Sequence, residues 1–297
     1  MGRPQVTYGV DSTTPLVHTE QDPNRWYIPT DPAAFGEQVF FFDTGYGIST
    51  CDDDLAKALG LKLYGQLAIR GEAGTVRARK ARLPDFKIGN HTISGLVCAV
   101  RDLNTTSSIR DSKDVRIAGV LGADVFRRFT VRIDPATASI QWSNPAEAPP
   151  NGTAETPLRR ESLFSPRLHV HIGVDQKKLR VLVDTGASDS WFDGENTGST
   201  IVERKKNVKV RGSGKTGSKA KDLIYYEAKS VRLGTHELTG VRFIGRDRHP
   251  GLLGLSVLKN YTQTYDFKRR LLHLDPAIPR PVPSWTEWRT STAILEK

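Results

Sequence analysis

The sequence predicts an all-β protein of two similar lobes related by a pseudo-twofold axis, with few and short helices. Three observations carry this reading. Four sequence blocks recur in the same order in the two halves of the chain. The runs between glycine, proline and aspartate are short, β-branched or aromatic, and of strand length. At 297 residues the chain also has room for about two ordinary domains.

The blocks fix the equivalences. FFFDTGYGIST (40–50) matches VLVDTGASDSW (181–191), so Asp43 and Asp184 stand 141 residues apart, and Arg70-Gly71 and Arg211-Gly212 keep that spacing. IGNHTISG (88–95) matches LGTHELTG (233–240). GVLGADVFRRFTVRID (119–134) matches GLLGLSVLKNYTQTYD (251–266), pairing Leu121-Gly122 with Leu253-Gly254. The offset drifts between blocks, as loops gaining or losing residues between fixed strands would make it do.

Taken in order, strands are expected at 39–43, 66–70, 75–83, 96–100, 130–134 and 139–142, then at 168–173, 179–184, 208–211, 223–228, 230–234, 262–266 and 271–274. A helix capped by Ser49 or Thr50, with Asp52, Asp53 and Asp54 in its first turn, should end near Gly60. Two more follow the Leu-Gly pairs, at 123–129 and 255–261. The proline-rich stretch SNPAEAPPNGTAETP (143–157) marks the division into a first lobe (1–145), a linker (146–158) and a second lobe (159–297). The second lobe ends in a proline-rich tail whose Trp285 and Trp288 predict docking on the body.

Each repeated Asp-Thr-Gly puts a carboxylate directly after a hydrophobic strand, followed by a hydroxyl side chain and a glycine that permits a tight turn. If the halves pack about a twofold axis the two carboxylates meet, and like charges that close share one proton. The ionised partner can then take a proton from a water while the other donates to a carbonyl oxygen.

These residues resemble those of the aspartic proteases, over most of both halves. Asp-Thr-Gly followed by two hydrophobic residues and a glycine (Val120-Leu121-Gly122, Leu252-Leu253-Gly254) is similar to a retropepsin-like half-domain, and the first half resembles the bacterial proteins of that type. The resemblance implies two retropepsin-like or pepsin-like barrel lobes on one chain, with Asp43 and Asp184 as the catalytic pair of an aspartic endopeptidase. It makes Thr44, Gly45, Thr185, Gly186 and Ser188 the support of the catalytic loops. Flaps are implied near Arg70, Gly71 and Gly74 and near Arg211, Gly212 and Gly214. The first copy reads DTGYG where the second reads DTGAS, so Tyr46 stands where a small residue is usual. Its phenol has three open roles: narrowing the cleft, donating to the pair, or blocking the site. A catalytically inactive bilobal peptide-binding protein is the alternative.

Composition bounds the rest. No apolar run approaches the roughly 20 residues of a membrane helix. The net charge is +10, 43 basic against 33 acidic residues, and the basic stretch 203–222 would favour acidic peptide substrates if it overhangs the cleft. That stretch contains no aromatic residue, so a solvated hairpin is expected rather than a nucleic-acid interface. The reading implies no cofactor or metal, and a monomer suffices. His169 and His171 lack a third ligand nearby, and His91 and His236 read as turn chemistry. Cys51 and Cys98 can form one bridge or remain two core thiols. The N-terminus lacks the apolar core of a secretory signal, so the protein is secreted or periplasmic if a signal has been removed, and cytoplasmic otherwise.

Overall fold

The computed structural model describes residues 4–71, 74–106, 112–146, 153–160, 165, 167–210, 219–246 and 251–295. Strands dominate it. The described helices run from four residues (Ala123–Phe126) to eleven (Trp285–Leu295).

Each half forms an eight-stranded sheet, and the two sheets have the same strand order. In the first, Gln38–Phe42 lies between Asp22–Pro29 and Arg116–Leu121, and the hairpin Tyr64–Gly71 with Gly74–Arg82 forms the far edge. In the second, Lys177–Val183 lies between Leu168–Val174 and Gly251–Leu253, and the hairpin Thr200–Val210 with Lys219–Leu233 forms the edge. Gln38–Phe42 reads as unbroken hydrophobe because both its faces are covered. Phe40 and Phe42 enter a large cluster that runs through both lobes, whereas Val39 and Phe41 enter a second cluster confined mainly to the first lobe.

A six-stranded antiparallel sheet joins the lobes. Its order is Ala154–Pro157, Leu271–Pro276, Tyr261–Asp266, Thr130–Asp134, Ser139–Ser143 and Ser12–Pro15, three strands from each half in mirrored sequence. At its centre Arg132 pairs with Thr264. Those two residues occupy equivalent places in the sequence repeat, and a residue can pair with its own equivalent only where the twofold axis passes. The duplicated sequence thus becomes spatial symmetry through one strand pair.

The structure corrects several local expectations. Residues 154–157 of the expected linker form an edge strand, where Pro157 costs no ladder bond. The helix after the first Asp-Thr-Gly begins at Asp53 and is capped by Asp52, not by Ser49 or Thr50. Thr50–Asp52 is held as a strand between Ala99–Arg101 and Gly119–Val120, which leaves Asp52 as the first residue free to turn; its carboxylate accepts from the Asp54 N–H at 3.0 Å. The helices at 123–129 and 255–261 span only Ala123–Phe126 and Leu255–Leu258. The tail docks as expected, but on the first lobe: His18 N donates to the Pro283 carbonyl and Trp285 enters the second cluster. Its helix opens with a reciprocal cap between Ser284 and Glu287. His91 is a buried pin rather than a turn residue, taking the Gly9 N–H on Nδ1 and reaching the Trp142 carbonyl through Nε2 at 2.9 Å. His169 is buried and His171 half-buried.

Cys51 and Cys98 form a disulfide that ties Thr50–Asp52 to the neighbouring strand Val97–Arg101 across 47 residues of chain. A loop of that length corresponds to about 3–4 kcal/mol of stabilisation. Urea unfolding should therefore move to a lower midpoint in reductant, and at least as far in the double variant Cys51→Ala/Cys98→Ala, which also empties the volume of two buried sulfurs. An unmoved midpoint would show that the bridge contributes nothing.

Candidate active site

Both strands that carry the repeated motif run straight into their aspartates. Asp43 N donates to the Leu121 carbonyl at 3.2 Å and Asp184 N to the Leu253 carbonyl at 3.0 Å, extending the ladder by one residue in each lobe. The chain then turns sharply, closed by Tyr46 N to Asp43 O and Ala187 N to Asp184 O. Inside each turn the glycine N–H holds its own aspartate: Gly45 N to Asp43 Oδ1 at 2.8 Å, Gly186 N to Asp184 Oδ1 at 3.0 Å.

The two turns are locked across the axis. Thr44 N donates to Thr185 Oγ1 at 3.0 Å and Thr185 N to Thr44 Oγ1 at 3.1 Å. Each hydroxyl in turn donates to the strand behind the other turn, Thr44 Oγ1 to Val183 O and Thr185 Oγ1 to Phe42 O. Both threonines are buried, so each of these four bonds replaces a partner that water cannot supply.

The glycines are required by the opposite carboxylate. A Cβ on Gly45 would stand 2.6 Å from Asp184 Oδ1, and one on Gly186 would overlap Asp43. Each carboxylate therefore sits over the other lobe's turn. Burial raises the Asp43 carboxyl well above its ordinary value of 3.8; the Asp184 charge and a hydrogen bond to Asp184 push the same way. The Gly45 N–H and Arg25 oppose the rise. Arg25 lies on the strand beside Gln38–Phe42, over the Phe41 ring at 5.5 Å and paired with Asp22 at 3.2 Å.

The family model described as aspartyl protease matches this chain twice, at residues 37–125 and 170–257, together more than half of it. The chain belongs to the aspartyl protease family. Each match contains one Asp-Thr-Gly turn and one Leu-Gly pair. Among curated proteins, none matches the sequence.

Behind each turn lies a serine that sequence reasoning missed. Ser49 Oγ accepts from Gly122 N at 3.1 Å and donates to Asp124 at 2.7 Å; Ser190 Oγ accepts from Gly254 N at 3.0 Å and meets Ser256 Oγ at 3.0 Å. These bonds clamp the Leu-Gly strand to the Asp-Thr-Gly turn. Neither glycine has room for a side chain, because a Cβ would lie 2.7 Å from the Tyr46 or the Ala187 carbonyl. The signal was in the repeat, since a serine stands six residues after each aspartate. Ser188, expected in the supporting role, contributes its carbonyl, which accepts from Ser256 N at 3.0 Å.

Tyr46 packs into the first lobe. Its ring is buried in the second cluster with Phe41, Ile69 and Val120, and its hydroxyl accepts from the buried Arg101 Nη1 at 3.2 Å. Arg70, Gly71 and Gly74 lie on the first edge hairpin, where Gly71 pairs with Gly74. Arg211, Gly212 and Gly214 lie outside the described residues. In that basic hairpin Lys205 and Arg242 both stack on Tyr225.

Among the described residues, Asp52, Asp53 and Asp54 are close enough to share a cation. They are already engaged: Asp52 caps its helix and accepts from Leu103 N, Asp53 and Asp54 pair with Lys57, and Asp54 also pairs with Arg116.

Replacing Thr44 or Thr185 by valine keeps the shape and strands a buried N–H in the opposite turn. Each single variant should lose about 1–3 kcal/mol in denaturant unfolding. Each change removes its own two of the four bonds, and the double variant should lose less than the sum because breaking either pair already loosens the turn that the other pair holds. Strict additivity would show that the threonines act independently.

Proposed function

We propose that the chain is an aspartic endopeptidase that hydrolyses peptide bonds with a water activated between Asp43 and Asp184. The observation that carries this is the mutual seating of each carboxylate over the other lobe's glycine turn, in a site where burial favours one retained proton.

In the proposed reaction the pair holds one proton between its two carboxyl groups. The ionised carboxylate takes a proton from water as the water oxygen bonds to the scissile carbonyl carbon, and the protonated partner gives its proton to the carbonyl oxygen. The tetrahedral diol then collapses. Its C–N bond breaks, the leaving nitrogen accepts a proton from the pair, and a diol hydroxyl returns one, which regenerates the singly protonated state. No covalent intermediate forms, and the charge that develops stays within a rigid, preorganised site. Gly45 and Gly186 are proposed to offer backbone to the substrate, and the first edge hairpin, around Arg70, Gly71 and Gly74, to close over it. One chain supplies both carboxylates, so we take the monomer to be active, with lobes at 1–145 and 159–297. The buried disulfide favours an oxidising compartment.

Tyr46 would favour a silent peptide-binding protein if it capped the aspartates, but its ring packs within its own lobe. The binding reading therefore becomes one outcome of the test. Purified protein should cleave a diverse peptide library in the presence of EDTA, and Asp43→Asn and Asp184→Asn should each abolish cleavage. Folded protein that cleaves nothing at any pH would refute the peptidase reading and leave peptide binding.

The raised Asp43 carboxyl also sets a pH signature. Above 3.8 the unfolded chain has released this proton while the folded site retains it, so stability is full below that value and is lost as pH rises toward the folded pKa. An amide in place of the Asp43 carboxyl carries no such proton. Thermal melts of Asp43→Asn and wild type should therefore diverge as pH increases, with the variant more stable at neutral pH. Parallel curves would show that Asp43 titrates normally.

A further inference from the structure

The two lobes are symmetric at the aspartates and asymmetric at the walls beside them. In a strand, alternate residues share a face, so Phe41 projects to the same side as Asp43, and Leu182 to the same side as Asp184. The repeat makes Tyr46 equivalent to Ala187 and Val120 to Leu252.

In the first lobe this face is filled. Phe41, Tyr46 and Val120 pack with Ile69 and Ala78 of the edge hairpin, and Trp285 of the C-terminal helix closes the cluster from outside, each less than 10% exposed. Trp288 packs against Trp285 in a tilted arrangement, ring centroids 5.1 Å apart, and the buried Arg101 fixes the Tyr46 hydroxyl. In the second lobe Leu182 and Leu252 are buried like their equivalents, and the difference falls at Ala187, which offers a single half-buried methyl where the first lobe has the Tyr46 ring. Arg180, the equivalent of the fully buried Val39, is exposed. The C-terminal helix that supplies Trp285 lies outside both segments that match the family.

A pseudo-twofold axis through the two aspartates also relates the two sides of a scissile bond lying across them. Side chains on one side of the bond meet the Tyr46 wall, and those on the other meet the Ala187 wall. We infer that the cleft is sided: the wall filled by Tyr46 and backed by Trp285 admits only a small residue, glycine or alanine, on its side of the bond, and the Ala187 wall takes a bulky apolar one. This rests on the peptidase reading and adds a substrate class to it, peptides with a small residue facing a large one across the cleaved bond. A filled pocket rejects in this way because accommodating a ring would require displacing packed atoms.

The test is a cleavage profile of the wild-type full chain on peptides varied systematically on both sides of the bond. Peptides with one small and one bulky residue in the favoured order should exceed those with two bulky residues by about 10-fold or more in kcat/KM. Tyr46→Ala should raise the relative kcat/KM for doubly bulky peptides, and Ala187→Phe should reduce acceptance of the bulky residue on the other side. Each is read as a ratio between two peptides on the same protein, which a general loss of folded enzyme does not move. If Tyr46→Ala does not fold, Ala187→Phe decides, because its site is half-exposed. Equal acceptance of bulky residues on both sides by wild type would overturn the inference while leaving the peptidase reading intact. So would a folded, active Ala187→Phe with an unchanged profile. Cleavage of no peptide at all would sink the peptidase reading and this inference with it.

Discussion

Four hydrogen bonds between Thr44 and Thr185 and the strands behind them are the constraint on which the rest depends. Two carboxylates with a shared burial repel one another once both ionise, and two lobes carrying them would drift apart if nothing opposed that. The threonine bonds oppose it at the shortest possible lever arm, one residue from the charges. They also explain the local sequence. The hydroxyl must follow the aspartate, and the glycine must follow the hydroxyl, because the opposite carboxylate occupies the space where a Cβ would stand.

The lock at the turns has a counterpart at the base of the molecule. The pairing of Arg132 with Thr264 fixes the axis in the joining sheet, and the threonine bonds fix it again at the site. Between these two points each lobe's sheet carries a Leu-Gly strand beneath its turn, clamped by Ser49 or Ser190. A relative rotation of the lobes would break bonds at both ends of the axis at once, so the carboxylates are held by the whole assembly and not by loops alone.

Much of this was legible in the sequence because duplication writes each structural requirement twice. The aspartates, the threonines, the glycines and the Leu-Gly strands all recur, and all lie where the axis brings them. What the sequence hid falls into two kinds. Ser49 and Ser190 were written twice as well, but a serine has so many ordinary uses that the repeat alone did not mark it. Asymmetric features were hidden for a different reason: Tyr46 has only an alanine as its equivalent, and its distance from Trp285 along the chain does not show that the two rings share a cluster. The helix cap failed on a tertiary cause, since pairing of Thr50–Asp52 in the sheet displaced the turn to Asp52. The strand at 154–157 failed likewise, because a proline-containing segment can pair when the joining sheet offers it an edge.

The docking of Trp285 on the first lobe also orders events during synthesis. The first lobe's strands leave the ribosome early, yet the residue that closes the wall beside Tyr46 is made 239 positions later. Asp184 likewise arrives long after Asp43. A nascent chain therefore holds a nearly complete first lobe with one carboxylate, an unlocked threonine and an open aromatic face. Only when the helix carrying Trp285 emerges can that face be covered, so the first lobe gains this contact after the strands of the second lobe have been made.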